Sequence, residues 1–343
     1  MASRSGTISL HRFSLMPGHR LNVPSAIRDI GLATLLVASL VSTVTAQQDP
    51  CLDRTVAVNV LTEKGDSVNG LTAKSFRAEY QRQLVEVVSA TRDIHTRRIA
   101  IVLDTSRSIN QNLTWYAATS AAKRLYSTAP GETSFALLTF ATQVETRIEL
   151  TEGRVAVAKA LSAMGSEDWT NYKGPTRKTA LLDALVEGLG SFPAPALGDV
   201  VFAITDGDDN ASHIDFSEVR RKFLSTGVRL FCFLVSEPLS LRGRTREEAS
   251  GPEEMAQLVR ATGGDFTSVE LDPQGDLAKF QRDFVPPGIT SLEREIAETY
   301  RVEIHLPQSV DKEKGWKLQV VDDSGKSISK LRIIYPQKLA PCP

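Results

Sequence analysis

Five oxygen-bearing side chains in this 343-residue sequence stand where they could form one site. The stretch "DTSRS" (104–108) sets the carboxylate of Asp104 ahead of two hydroxyls at alternate positions, Ser106 and Ser108. Neither serine has a base beside it, so a nucleophilic role lacks its activating partner. "TDGDDN" (205–210) supplies a second carboxylate, Asp206, and Thr179 stands just ahead of "ALLDAL". A serine pair spaced by two in a turn directs both hydroxyls to one side. Oxygen-only donors in a small cluster suit a hard divalent cation, Mg²⁺ first and Mn²⁺ second. With few carboxylates and several hydroxyls, some ligation runs through water, and one position stays open for an outside ligand.

Such a site needs elements that bring residues 104, 179 and 206 together. The runs "IAIVLD" (99–104), "SFALLTF" (134–140), "VVFAIT" (200–205) and "VRLFCFLV" (228–235) are apolar throughout, as expected of strands covered on both faces of a parallel sheet. Amphipathic stretches lie between them. Leu113, Ala117, Ala121 and Leu125 form one helical stripe; Leu181, Ala184, Leu185 and Gly188 a second; Phe216, Val219 and Phe223 a third. Asp215 with Glu218 three residues on suits the start of that third helix. Helices between buried strands imply right-handed crossovers and a doubly wound, mostly parallel α/β sheet flanked by helices. In such sheets ligands bind outside the carboxyl ends of the strands. Asp104 and Asp206 then face each other across adjacent strand ends. Two long loops, 164–179 with Trp169 and Tyr172, and 236–253, gather at the same edge.

The flanks read differently. Residues 53–93 and 300–335 alternate apolar and polar with "KGD" and "DSGK" turns, which predicts antiparallel strands. Neither flank holds enough strands for its own sheet. The expected organisation is a small antiparallel β-domain built from both ends, 50–94 and 296–343, with the α/β unit (97–285) inserted between them. Ahead of these, arginines at 4, 12, 20 and 28 precede the uncharged run "IGLATLLVASLVSTV" (30–44) and a small-residue site ending at Ala46, the pattern of a signal peptide. Translation starting at Met16 would give a shorter basic region; an uncleaved anchor is the alternative, although the run is short for a full span. Cleavage predicts a secreted or periplasmic chain. Setting aside residues 1–46 leaves 36 basic against 40 acidic side chains, a net charge of −4. No basic excess points to nucleic acid. Hydrophobic content of 41% and charged content of 24% are ordinary for a globular chain that buries a sizeable core. Cys51 and Cys342, at the two ends, could pair in an oxidising compartment, whereas Cys232 reads as a buried strand residue.

Asp104, Ser106, Ser108, Thr179 and Asp206 together resemble the metal-ion-dependent adhesion site of von Willebrand factor type A domains, as in the inserted domains of integrins. The resemblance covers about 97–285, and the flanking segments look like those of bacterial secreted relatives. It implies Ser106, Ser108 and Thr179 as hydroxyl ligands, Asp104 and Asp206 as direct or water-mediated ligands, and an Asp or Glu of a protein or peptide partner as the missing oxygen. It also implies a last helix that can slide when ligand binds. Arg107 departs from the pattern, in a position often held by a small residue; a cation there could weaken metal binding or clasp the incoming carboxylate. Asp208 and Asp209 add negative charge beside the site.

The expected function is an extracytoplasmic, adhesion-type binding module without catalytic residues. The alternatives are a structural or assembly module of an envelope complex, its metal stiffening or vestigial, and a metal-assisted hydrolase with Asp208 or Asp209 as base. Asp209 and Asn210 read first as loop-capping residues, and His213 as a surface residue. Ser120 and Lys123 have the Ser-x-x-Lys spacing of some acyl enzymes, but fall in mid-helix without a companion motif.

Overall fold

The computed structural model describes residues 51–109, 112–164, 178–236, 246–271 and 285–342. Strands β1 (Asp53–Thr62), β2 (Phe76–Tyr80), β3 (Gln83–Arg92) and β4 (Arg98–Asp104) come first, followed by helix α1 (Asn112–Thr128). Next are β5 (Ser134–Phe140), β6 (Val144–Ile148), α2 (Gly153–Met164) and α3 (Leu181–Leu189). Then β7 (Val200–Thr205), α4 (Phe216–Thr226), β8 (Arg229–Ser236), α5 (Arg246–Ala261) and β9 (Phe266–Glu270) complete the α/β portion, and α6 (Val285–Ala297) follows. The chain ends in β10 (Tyr300–His305), β11 (Lys314–Val320), β12 (Leu331–Ile334) and β13 (Lys338–Leu339).

Six strands form one sheet in the order β6-β5-β4-β7-β8-β9, parallel except for β6, which runs antiparallel to β5. The four apolar runs of the sequence are its four central strands. Both of their faces are covered, so alternation is absent from their sequence. On β4, Ile99, Ile101 and Leu103 pack with Ala117, Ala121 and Leu125 of α1 and with Ile289, Leu292 and Ile296 of α6. Ala100 and Val102 point the other way, toward Leu181 and Leu185 of α3 and Val219 and Phe223 of α4. Each such side chain contributes about 1.5–3 kcal/mol on burial. Gly188 lets α3 press on the sheet, since a Cβ there would stand 2.6 Å from Val102 Cγ2. Asp215 caps α4, accepting a hydrogen bond from Glu218 N at 2.8 Å, and Gly227 closes that helix at φ +72°.

Seven strands form the second sheet, antiparallel in the order β12-β1-β10-β3-β2-β11-β13, so strands from the two chain ends interleave. Its core gathers Val56, Val58, Val60, Tyr80, Val302, Ile304, Trp316 and Leu318. Both sheets belong to one compact unit, residues 48–343. The other face of β1 carries a fully buried amide, Asn59. Its Nδ2 donates to Glu295 O and Glu298 O, each at 2.7 Å, and its Oδ1 accepts from Arg229 Nη1 at 2.7 Å. Cys51 and Cys342 form a disulfide with a Cα–Cα distance of 5.1 Å. Cys232 is free and buried, and burial pushes its thiol pKa up. Among the described residues no helix is long and apolar enough to cross a membrane.

Candidate metal centre

Strand β4 ends on Asp104 and its neighbour β7 ends on Thr205, in parallel register with Leu103 opposite Ile204. This adjacency brings the two carboxylates together at the carboxyl edge of the sheet. Asp104 is fully buried and Asp206 nearly so. Asp104 Oδ1 accepts from Ser106 N at 2.8 Å, and Oδ2 accepts from Thr205 Oγ1 at 2.7 Å. Its pKa is pushed up to about 8, first by burial and then by the negative charge of Asp206, against hydrogen bonds from Ser106 and Thr205 that pull it down. The turn after β4 places Ser106 Oγ and Ser108 Oγ 3.1 Å apart. Ser106 is buried, whereas Arg107 and Ser108 are exposed.

Thr179 reaches this edge through the loop that follows β7. Its carbonyl accepts from Asn210 N at 3.0 Å and Ala211 N at 3.1 Å, while its own N–H donates to Asn210 Oδ1 at 2.9 Å. Asp209 Oδ1 accepts from Leu182 N at 3.3 Å in the first turn of α3, and from Ser212 Oγ. Asp209 and Asn210 thus hold the Thr179 segment to the β7 loop, the capping reading of these residues. A carboxylate suits the helix N-terminus it meets there. His213 is exposed, with Nδ1 2.8 Å from Asp183 Oδ2. Residues 165–177, with Trp169 and Tyr172, and residues 237–245 of the second long loop lie outside the described residues.

Two features escape a reading of motifs. Thr205 donates to Asp104 while its hydroxyl accepts from Gly207 N at 3.1 Å, which couples the two strand ends. Gly207, at φ +89°, lies against Gly251 of α5; a Cβ on Gly251 would stand 2.4 Å from Gly207 O. A glycine in "TDG" flags a special backbone, but its partner in α5 comes only from the fold.

The donors present can be weighed against a divalent cation. Cis ligands of an octahedral Mg²⁺ stand about 2.9 Å apart, given Mg–O bonds of about 2.0–2.1 Å. The two serine hydroxyls, 3.1 Å apart, fit one such edge. Two buried carboxylates in mutual repulsion fit a positive charge between them. Among the described residues no three His, Cys, Asp or Glu side chains form a metal-holding group, so any ligation here must draw on hydroxyls.

Residues 99–208 match the model of the von Willebrand factor type A domain, and the chain carries such a domain. These domains are in general protein-interaction modules. No curated protein matches the chain. Among solved structures, it is similar to proximal thread matrix protein 1 from the mussel byssus, at 21% identity over 58% of this chain and 48% of that one, with a TM-score of 0.41. The chain thus spans about half the length of that protein, of which a further structure has a zinc-occupied MIDAS motif. It is also similar to BatB from Bacteroides thetaiotaomicron (17% identity, 59% and 98% covered, TM-score 0.43). A von Willebrand factor type A protein from Catenulispora acidiphila reaches 13% identity over 85% and 75% of the two chains, with a TM-score of 0.40.

Proposed function

We propose that Asp104, Ser106, Ser108, Thr179 and Asp206 hold one divalent cation, Mg²⁺ or Mn²⁺, and that the protein uses it to grip an Asp or Glu side chain of a protein or peptide partner outside the cytoplasm. The observation that carries this reading is the pairing of two buried carboxylates with a serine pair at ligand-edge spacing. The bound cation supplies a strong electrostatic anchor for a carboxylate oxygen. Both oxygens of Asp104 already accept hydrogen bonds within the chain, so Asp104 serves best through water, with Ser106 and Ser108 as direct donors. Arg107, exposed between them, can clasp the second oxygen of the partner carboxylate.

Extracytoplasmic placement is supported by the Cys51–Cys342 disulfide and by the leader-like segment ending at Ala46. We assign 97–285 as the binding domain, with 50–94 and 296–343 as the β-module that carries it. A binding role rather than catalysis is favoured by the chemistry of the set: Asp209, a candidate base, is engaged in capping α3. The internal bonding of Asp104 also fits a second reading, in which the cation stiffens the strand ends of an assembly module.

Titration calorimetry with Mg²⁺ and Mn²⁺, with Asp104→Ala as control, tests the site. Saturable binding that Asp104→Ala lowers at least about tenfold supports it. No heat and no change in melting temperature would sink it. Partner pull-down with and without chelator separates the two roles: loss on chelation supports adhesion, indifference the stiffening role.

A further inference from the structure

We propose that the open half of β1 accepts an extended, acid-bearing peptide segment of a protein partner as an added strand, at the sheet edge opposite the metal centre. On one side β1 pairs with β10 over Asp53–Val58; on the other it pairs with β12 only over Asn59–Thr62. Leu306 N donates to Leu52 O, so the main-chain groups of Leu52, and by alternation of Arg54, Val56 and Val58, face β10. Those of Asp53, Thr55 and Ala57 face the other way, along the edge that β12 leaves uncovered.

The reason β12 stops is visible in its register. Asn59 stands opposite Ile334, which would place Pro336 opposite Ala57. Proline has no N–H to donate, and the Pro336 carbonyl is taken by Trp316 Nε1 at 2.6 Å. A groove of about 620 Å³ lies beside this edge, walled on its far side by the last turn of α4 and lined by Thr55, Ala57 and Pro336. The main chains of Thr55 and Ala57 offer two donors and two acceptors along it, the requirement for strand addition.

Charge selects the occupant. Arg54, Arg221, Lys222 and Lys338 line the groove against a single carboxylate, Glu218. Glu218 is engaged with Lys222 at 3.7 Å, and the adjacent Glu313 is shared by Arg220 and Lys338. A cationic groove on a chain of net charge −1 favours acidic side chains. The chain's own residues 1–46, with four arginines and one aspartate, carry the wrong charge to fill it.

The probe is a six-residue peptide of alternating valine and glutamate, with the valine–lysine peptide as control, added to the purified protein in low salt. Hydrogen exchange read by NMR should slow at least about tenfold at the Thr55 and Ala57 amides with the acidic peptide only. Thr55→Pro removes a donor that β10 does not use and should weaken binding at least tenfold. Arg221→Glu, an exposed charge reversal, should weaken the acidic peptide and admit the basic one; it carries the test if Thr55→Pro does not fold. Chelation of metal should change none of this, so the strand site and the metal centre fail separately. Unchanged exchange at both amides overturns the proposal. So does protection by inorganic phosphate alone, which would mean an anion site, or concentration-dependent protection without peptide, which would mean a second copy of the chain.

Discussion

Gly251→Ala sets two known effects of opposite sign against each other. Gly251 lies inside α5, where exchanging glycine for alanine stabilises a helix by about 1 kcal/mol on propensity alone. Its added Cβ would stand 2.4 Å from Gly207 O, 2.9 Å from Gly207 C and 3.3 Å from Asp208 N. All three are backbone atoms of the loop carrying Asp206, and none can rotate aside. Overpacking of this kind costs about 1–3 kcal/mol, so the net expectation is a loss of up to about 2 kcal/mol. The loop can relieve the clash only by moving, which carries Asp206 away from Asp104 and should lower Mg²⁺ affinity at least tenfold. Ser250→Ala changes helix propensity one residue away and should leave metal affinity unchanged. Urea unfolding and calorimetric titration of both variants read the two effects. A Gly251→Ala protein more stable than the parent, with the parent's Mg²⁺ affinity, would refute the idea that α5 fixes the site loop.

Two further outcomes follow from the seam between the sheets. The Glu295 side chain is 1% exposed, and burial first, with the Asp265 carboxylate second, pushes its pKa up to about 7. A carboxyl raised in the folded state supports folding fully below its unfolded value of about 4.3; that support is lost as pH rises toward 7, amounting to at most roughly 3 kcal/mol. Glu295→Gln should flatten this slope in urea unfolding between pH 5 and 7.5, and an unchanged slope would refute it. Asn59→Ala strips the Oδ1 that faces the buried Arg229 and both donors to α6. It should cost about 2–4 kcal/mol, and a loss within 0.5 kcal/mol by the same assay would show the seam to be incidental.

The central strands were legible because burial on both faces leaves an unbroken apolar run, as in Val200–Thr205. The edge strands β6 and β9 were not: Val144–Ile148 has no fully buried residue and Phe266–Glu270 has one, so neither shows that signature. Asp104, Ser106 and Ser108 were legible as types at a spacing within one turn. Thr205 was not, because a threonine ending an apolar run reads as a strand former, and its role depends on β4 and β7 being neighbours. Asn59 did leave a signal, a single amide inside "VAVNVL", where a polar group buried in an apolar strand must find partners. Which partners it found depended on α6 and β8, more than 160 residues away along the chain.

Those partners bear on whether α6 can slide, as the resemblance to adhesion domains implies. A helix leaves its last four carbonyls without partners inside the helix. At the end of α6 Arg97 donates from Nε to Ile296 O at 3.0 Å and from Nη2 to Ala297 O at 3.2 Å. Asn59 bridges Glu295 O and Glu298 O, and Arg229 Nη2 approaches Glu295 O at 3.5 Å. Two buried guanidinium groups at a helix C-terminus are also favourably placed against its dipole. Arg97 is held in turn by the Asp93 carboxylate, and Asn59 sits in β1, itself fixed by β10 and β12. Axial movement of α6 must therefore break several bonds to buried, partly charged donors at once, with no water present to replace them. The seven-stranded sheet is thus more than a support for the binding domain. Through Asn59 it clamps the helix whose displacement would connect the metal centre to the rest of the chain.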